Sequence, residues 1–486
     1  MDGSRTRLRW LGVPAAACCA AAVVLLAQGC SQLAHEQPSA RAPEPVYRRG
    51  PDAPAPRSQP DAAVPKVPEA VAASGPPLPP PPPPPRPRPL PPAHEPDIRV
   101  RIAEVDPGAA ARVGARGQRL QLSIAQMDGH ETPPSGSGPR VLSGPVEFSS
   151  SASGWSARDA AGVTASWPAG TAQLQVEAAS GPAQVEWSGS TWPGRMRLVR
   201  MPSGGIDVVM DVPMETYLPG VIAKELYGSW DLDTYKAQAI AARSYAVVED
   251  DRWSERRHFD VVAGEQSQAW VGATSNPTAL QAVRETRGMV LVHDGLVVPA
   301  YYSSACGGRP ATARGAITDN PHHAIAPISA GEGAARSACC ERTKVATWKA
   351  TVPATKVAER LRNWGRSNWR PDVAAIESIS AIRPASRNAA GRTVAFTLTT
   401  PKGEVTLGAE ELRTAINAAR DRATSIRSSD CTITLARGTM EFSGRGFGHG
   451  VGMCQHGAQE MAKAGNGWRE ILARYYPSSR VETAWR

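Results

Sequence analysis

GRGFGHGVGMCQHGAQEMAKAG, residues 444–465, is the stretch from which the rest of this 486-residue chain is best read. Six glycines from Gly444 to Gly457 bracket His449, with Gln455 and His456 close behind. So dense a glycine run relaxes the backbone and lets it approach a ligand or another strand closely, a use that offsets glycine's entropic cost only at turns or sites. Read alone, it fits a tight structural turn as well as a binding loop. After the loop, Ala458, Met461, Ala462, Ile471, Leu472 and Tyr475 recur at helical spacing, and Gly465 with Gly467 divides them into two short helices.

Far upstream, residues 214–247 read METYLPGVIAKELYGSWDLDTYKAQAIAARSYAV. Asp231 is placed to cap a helix running from about 232 to 249. Lys236 and Arg243, seven apart, lie within about 20° of each other on it. Alanines and isoleucine surround them, so the helix should be largely buried and its cations paired. Their partners are either structural carboxylates or the groups of a site. On the second reading Lys236, Gln238 and Arg243 are candidate substrate-binding residues. Glu225 lies beside Leu226, Tyr227 and Trp230, an apolar setting that disfavours the charged carboxylate and suits a general acid. Lys224 acts the other way, and a glutamate at a helix start is commonly just solvated. A third block, VVPAYYSSACGGRPA at 297–311, is a strand ending in a Gly-Gly turn.

The three blocks, in this order over residues 212–476, resemble the SpoIID/LytB family. Its C-terminal signature has GHGVGMSQYGA as a recurring form, and its first block runs YL-x-GVV-x-x-E-M and then ALKAQAVAARTYA. The resemblance places Glu225 on the catalytic acid of the members that are lytic transglycosylases, although Leu226-Tyr227 stands where Met-Pro is usual. Tyr302, Ser303, Ser304, Gly307 and Gly308 at a strand end and tight turn, with His449 and Gln455 of the glycine loop, offer ring faces and hydroxyl, amide and imidazole groups suited to hexoses and are the candidate substrate-binding residues. Some members bind zinc through His and Cys just after the first signature helix. Here His258 to Gly272 holds one histidine and no cysteine, so that site is not expected.

The N-terminus reads differently. Arg5, Arg7 and Arg9 precede an apolar run from Leu11 to Ala27, then Gln28-Gly29-Cys30. This is the form of an export signal with an h-region short for a membrane span. A lipoprotein signal over 1–30, lipidated at Cys30, is preferred to a retained anchor. From Pro38 to Pro96 lie 23 of the 45 prolines, seven of them consecutive at 79–85. Proline fixes φ and lacks the N–H donor, so 31–96 reads as a disordered polyproline spacer. At ~3.1 Å per residue it would reach on the order of 150 Å.

The net charge of +9 is spread without runs of like charge, which gives no support to a nucleic-acid partner. Beyond the signal the cysteines are Cys306, Cys339, Cys340, Cys431 and Cys454, an odd number. A site built from Cys306, Cys454 and His449 or His456 is conceivable, but a disulfide or a buried thiol is preferred because no short ligand spacing such as C-x-x-C occurs; no metal or cofactor is expected.

Elsewhere, 98–105 alternates as an edge strand would. Segments around 120–124, 144–150, 172–178, 183–189 and 205–212 read as further short strands. Asn276-Pro277 opens a helix, and 289–302 reads as a hairpin turning at Asp294-Gly295. Helices at 353–364 and 408–421 flank a strand at 393–400. The expected fold class is α+β, with a β-rich part at 97–205 and a SpoIID-like core at 206–486. The expected activity is lytic cleavage of denuded peptidoglycan strands by the single acid Glu225, since attack by the sugar's own C6 hydroxyl replaces the second carboxylate of a hydrolase. The alternative is a non-catalytic enhancer of a cell-wall amidase. Either would work outside the cytoplasm on a membrane anchor.

Overall fold

The computed structural model describes residues 94–486 apart from 116, 126–137, 265–266, 314–315, 318–339, 341–342 and 420. The expected signal, Cys30 and the proline tract up to residue 93 fall outside the described residues, as does Cys339. The described chain mixes helices with many short strands.

A seven-stranded sheet runs in the order Val261–Val262, Asp97–Val105, Ile206–Pro213, Arg195–Arg200, Gln173–Ala178, Arg119–Ile124 and Arg140–Ser143. Val146–Ser151 and Gly154–Asp159 belong to a separate four-stranded sheet. Asp97–Val105 is not an edge. It pairs antiparallel with Ile206–Pro213 on one side and parallel with Val261–Val262 on the other. Its arginines, which gave it the look of an edge, are paired rather than solvated: Arg99 Nε donates to Asp260 Oδ1 at 3.0 Å, and Arg101 pairs with Glu104 and Asp207. The sheet also crosses the boundary expected near residue 205.

Pro213 ends the strand and opens helix α1, Met214–Glu225. Helix α2, Leu232–Trp253, is buried along most of its faces, as its alanines predict. It packs on α1, on helix α3 (Pro277–Glu285) and on the C-terminal helices Gln455–Lys463 and Trp468–Tyr475. Asn276 caps α3, its side chain accepting the Ala279 N–H at 3.1 Å. Asp294 and Gly295 both take positive φ, 48° and 78°, at the turn between Met289–His293 and Leu296–Val297. The returning strand is shorter than its sequence suggests. After Pro299 the chain changes partner, and Tyr302–Ser303 pairs in parallel with Met453–Cys454.

Two hydrophobic cores result. One unites sheet residues such as Ile98 and Leu198 with Tyr217 and Ile240 of the helices and Met453 and Tyr476 near the C-terminus. The second, around Trp348, Leu361, Phe396, Leu412 and Phe442, is built within residues 347–445. There the helices Ala354–Ser367 and Ala409–Asn417 flank the strand Thr393–Thr400. No described helix is long and apolar enough to cross a membrane.

Candidate functional site

Glu225 ends α1, and Gln455 begins a helix 230 residues later; Gln455 Nε2 donates to Glu225 Oε2 at 3.2 Å. Glu225 Oε1 accepts the Ala269 N–H at 3.0 Å. Of the apolar neighbours expected from the sequence, Leu226 is buried but Tyr227 is 60% exposed. Trp230 is partly buried against the core, so the apolar setting is met by two of the three neighbours, and both carboxylate oxygens accept amide donors as well. The parallel pairing of Tyr302–Ser303 with Met453–Cys454 sets Gln455 in place, because it carries the glycine loop across the strand end of the third block.

Gln268, one residue before Ala269, links this contact to the ring of Tyr302. Its side chain is fully buried, donates to the Tyr302 hydroxyl and to the Ala242 carbonyl, both at 3.1 Å, and accepts from Tyr217 Oη at 3.0 Å. Burial, and after it Glu225, pushes the Tyr302 phenol well above its ordinary range. Sequence reasoning missed Gln268 and Ala269. They lie in an irregular segment without periodicity, and Ala269 acts through its backbone.

Tyr302, Tyr227 and His449 line a cleft of 2820 Å³ whose other wall comes from the second core, with Trp364, Glu410 and Arg413. His449 Nδ1 accepts the Val451 N–H at 3.1 Å, which leaves the proton of the neutral ring on Nε2. Burial pushes His449 down to about 4, although Glu410 pulls it upward. The glycines let the loop lie against its neighbours. Gly452 has φ 68°, and a side-chain carbon there would overlap the Tyr301 carbonyl oxygen. The buried Arg392 holds the same loop, donating to the Gly448 carbonyl at 3.3 Å and to Ser429 Oγ at 2.9 Å.

Ser303 ends the strand that faces the loop, and Ser304 follows it. Ser303 is buried, with its hydroxyl unpartnered among the described residues, and the Ser304 carbonyl accepts the His456 N–H at 3.0 Å. Gly307 and Gly308 form a left-handed turn, φ 64° and 78°, packed against Gly446. Gln238 is fully buried, and its amide has no hydrogen-bond partner among the described residues.

The two cations of α2 singled out from the sequence, Lys236 and Arg243, are engaged by carboxylates other than Glu225. Lys236 pairs with Glu285 at 2.7 Å. Arg243, fully buried, grips Glu215 with two bonds of 2.9 and 2.7 Å and donates to the Met289 carbonyl at 3.0 Å. The nearby carboxylates of α2 are likewise taken up by packing: Asp231 accepts from Gln459 Nε2, and Asp233 Oδ1 accepts the Trp468 N–H at 3.1 Å. His258 makes a 2.7 Å contact with Asp207 Oδ2.

Cys306, Cys340, Cys431 and Cys454 are all free and buried, so of the two outcomes preferred from the sequence, a disulfide or a buried thiol, these four described cysteines take the second. The sulfurs of Cys306, Cys340 and Cys454 lie within 4.8 Å of one another. Hydrogen bonds from the Cys306 and Cys454 thiols, then from the backbone of Gly308 and Gly307, bring Cys340 down to about 3; its partner Cys306 is raised to about 12, chiefly by its bond to Cys340.

Comparison with known proteins bears on the same blocks. The family model described as stage II sporulation protein, SpoIID, matches residues 202–293. A second model, described as a domain of unknown function, matches 335–452 and so covers most of the second core. The chain is 27% identical to the amidase enhancer of Bacillus subtilis (strain 168) over 293 residues, 54% of this chain and 40% of that protein. It is 28% identical to an uncharacterised protein of Brachyspira hyodysenteriae over 270 residues, 55% of this chain and 66% of that protein. Identity to the stage II sporulation protein D of B. subtilis is 26% over 291 residues, 57% of this chain and 76% of that protein. The match thus spans less than two thirds of the amidase enhancer's length.

Proposed function

We propose, from the chain's membership of the SpoIID/LytB family and from the geometry around Glu225, that it is a lytic transglycosylase acting on peptidoglycan glycan strands, in particular strands stripped of stem peptides. The observation that carries the reading is the Glu225–Gln455 hydrogen bond, which joins two sequence blocks 230 residues apart at one carboxylate. The cleft beside it, at 2820 Å³, exceeds the ~300–1,000 Å³ of small-ligand pockets and suits a polymer. Its tyrosine rings, the exposed Tyr227 among them, offer the stacking faces that hexoses take.

In the proposed reaction Glu225 gives its proton to the glycosidic oxygen as the bond to C1 breaks. The carboxylate so formed takes the proton of the sugar's C6 hydroxyl as that oxygen closes on C1, leaving a 1,6-anhydro end. Gln455 and the Ala269 N–H hold the carboxylate for both transfers. Proximity of the C6 hydroxyl removes the need for a second carboxylate, in keeping with the structural engagement of Asp231 and Asp233. The experiment is Glu225→Gln, assayed for anhydro products on denuded strands. A loss of about 10²- to 10⁴-fold in rate with an unchanged melting profile is expected.

One observation favours a second reading, stimulation of a cell-wall amidase: the similarity to a protein named amidase enhancer. If Glu225→Gln leaves glycan cleavage unaltered while the chain accelerates a purified N-acetylmuramoyl-L-alanine amidase, that reading replaces the first. On either reading we place the protein outside the cytoplasm, anchored through a lipid on Cys30. Cys30→Ser should then move it from the membrane fraction to the soluble exported fraction, and retention in membranes with an uncleaved N-terminus would indicate a signal anchor.

A further inference from the structure

Cys306 follows the strand Tyr302–Ser303, Cys340 comes from a separate stretch, and Cys454 caps the helix Gln455–Lys463. Their buried sulfurs all fall within 4.8 Å of one another, those of Cys306 and Cys340 being 3.5 Å apart. Three thiolates on a tetrahedral zinc ion, with Zn–S of ~2.3 Å, would stand about 3.8 Å apart, inside the range found here.

The backbone around the cluster is also arranged for negative sulfur. The Cys306 and Gly457 N–H groups donate to Cys454 Sγ at 3.4 and 3.3 Å. The left-handed turn of Gly307 and Gly308, which directly follows Cys306, lies beside Cys340. A neutral thiol is a weak acceptor, whereas a thiolate draws charge-assisted bonds. Two N–H groups aimed at the same buried sulfur therefore suit a thiolate, and thiolates gathered in a core need a cation among them.

We propose that Cys306, Cys340 and Cys454 bind one borderline-soft divalent cation, Zn²⁺ by its chemistry, as a structural staple behind Gln455. As each sulfur–metal bond forms, the thiol releases its proton to solvent, so no oxidant or reductant takes part. The fourth ligand is not a described thiol. His456, whose Nε2 is buried and unpartnered among the described residues, follows Gln455 on the same helix, although it lies outside the set of atoms within 4.8 Å. The bound ion would tie the strand end at Cys306 to the helix start at Cys454, fixing the residue that holds Glu225.

The test is the metal content of the full chain purified without chelator, measured by inductively coupled plasma mass spectrometry, together with thiol titration in denaturant. About one zinc per chain is expected, falling to near none in Cys340→Ser and in Cys454→Ser and unchanged in Cys431→Ser. Should those serine variants misfold, Co²⁺ added to the reduced wild-type chain should give sulfur-to-cobalt charge-transfer absorption. The proposal is overturned if the reduced protein binds neither Zn²⁺ nor Co²⁺. It is equally overturned if mass spectrometry of the isolated protein finds two of the three cysteines joined as a disulfide.

Discussion

Helix α1 carries a glutamate at each end, and the two are treated in opposite ways. Glu215 at the start is held by both arms of Arg243, and its Oε1 also accepts the Gly288 N–H and the Trp485 Nε1–H, each at 3.1 Å. Glu225 at the end accepts neutral amide donors from Ala269 and Gln455. The grip of the buried Arg243 guanidinium on Glu215 joins α1 to α2 and to the chain beyond α3. On the proposed reading, the carboxylate held by amides is the one that takes and gives a proton. On that reading, the kind of partner separates the two acids of one twelve-residue helix better than burial does.

Exchanging the fates of the two glutamates is the strongest way to break this comparison. Glu225→Gln should cost about 10²- to 10⁴-fold in glycan cleavage and little in folding stability. Arg243→Ala should do the reverse. It leaves Glu215 as a buried anion without its guanidinium, at a cost of about 3–5 kcal/mol in urea unfolding, while kcat of the fraction that remains folded stays close to wild type. If Arg243→Ala instead loses kcat at undiminished stability, the division between the two ends of α1 is mistaken.

Gln455→Ala sharpens the same point at smaller scale. Removing one donor to a charged group is worth about 1.5–3 kcal/mol, so kcat should drop by roughly 10- to 100-fold with KM nearly unchanged. The last contrast is the effect of pH on His449. Its folded value, about 4, is depressed below the ordinary 6.5, so the unfolded chain takes up the proton first as pH falls. Stability from this group is intact above 6.5 and declines as pH approaches 4. His449→Gln should flatten that part of the stability profile measured by urea unfolding between pH 7 and pH 4.5.

Much of the architecture was legible because it rests on periodicity. The alanine-rich turns of α2, the strand Thr393–Thr400 and the two short helices after the glycine loop follow from spacing alone. The reading of 98–105 as an edge failed because Arg99 and Arg101 looked solvated. Their partners Asp260, Glu104 and Asp207 include residues far off in sequence, and pairing at that range leaves no local mark. The site divides the same way. Glu225 and Gln455 were visible as residue types within motifs, whereas the Ala269 N–H is a backbone group that any residue could supply. Gln268 and Arg392 do their work through contacts with chain remote in sequence, and only the fold reveals them. Lys236 and Arg243 show the converse: shared helical spacing put both on one stripe, but tertiary neighbours sent each to a different carboxylate.

The Glu225–Gln455 bond has a further consequence, in time rather than in space. A contact closing a loop of 230 residues bears a large entropic cost before it is rewarded, and contacts of that kind form late in folding. The carboxylate at the end of α1 is present as soon as that helix exists, yet its Gln455 donor comes only after residue 455 has been made and the parallel pair with Tyr302–Ser303 has closed. On the proposed reading, a nascent or half-exported chain holds its acid without the frame that aims it, so the order of synthesis itself delays activity against the wall.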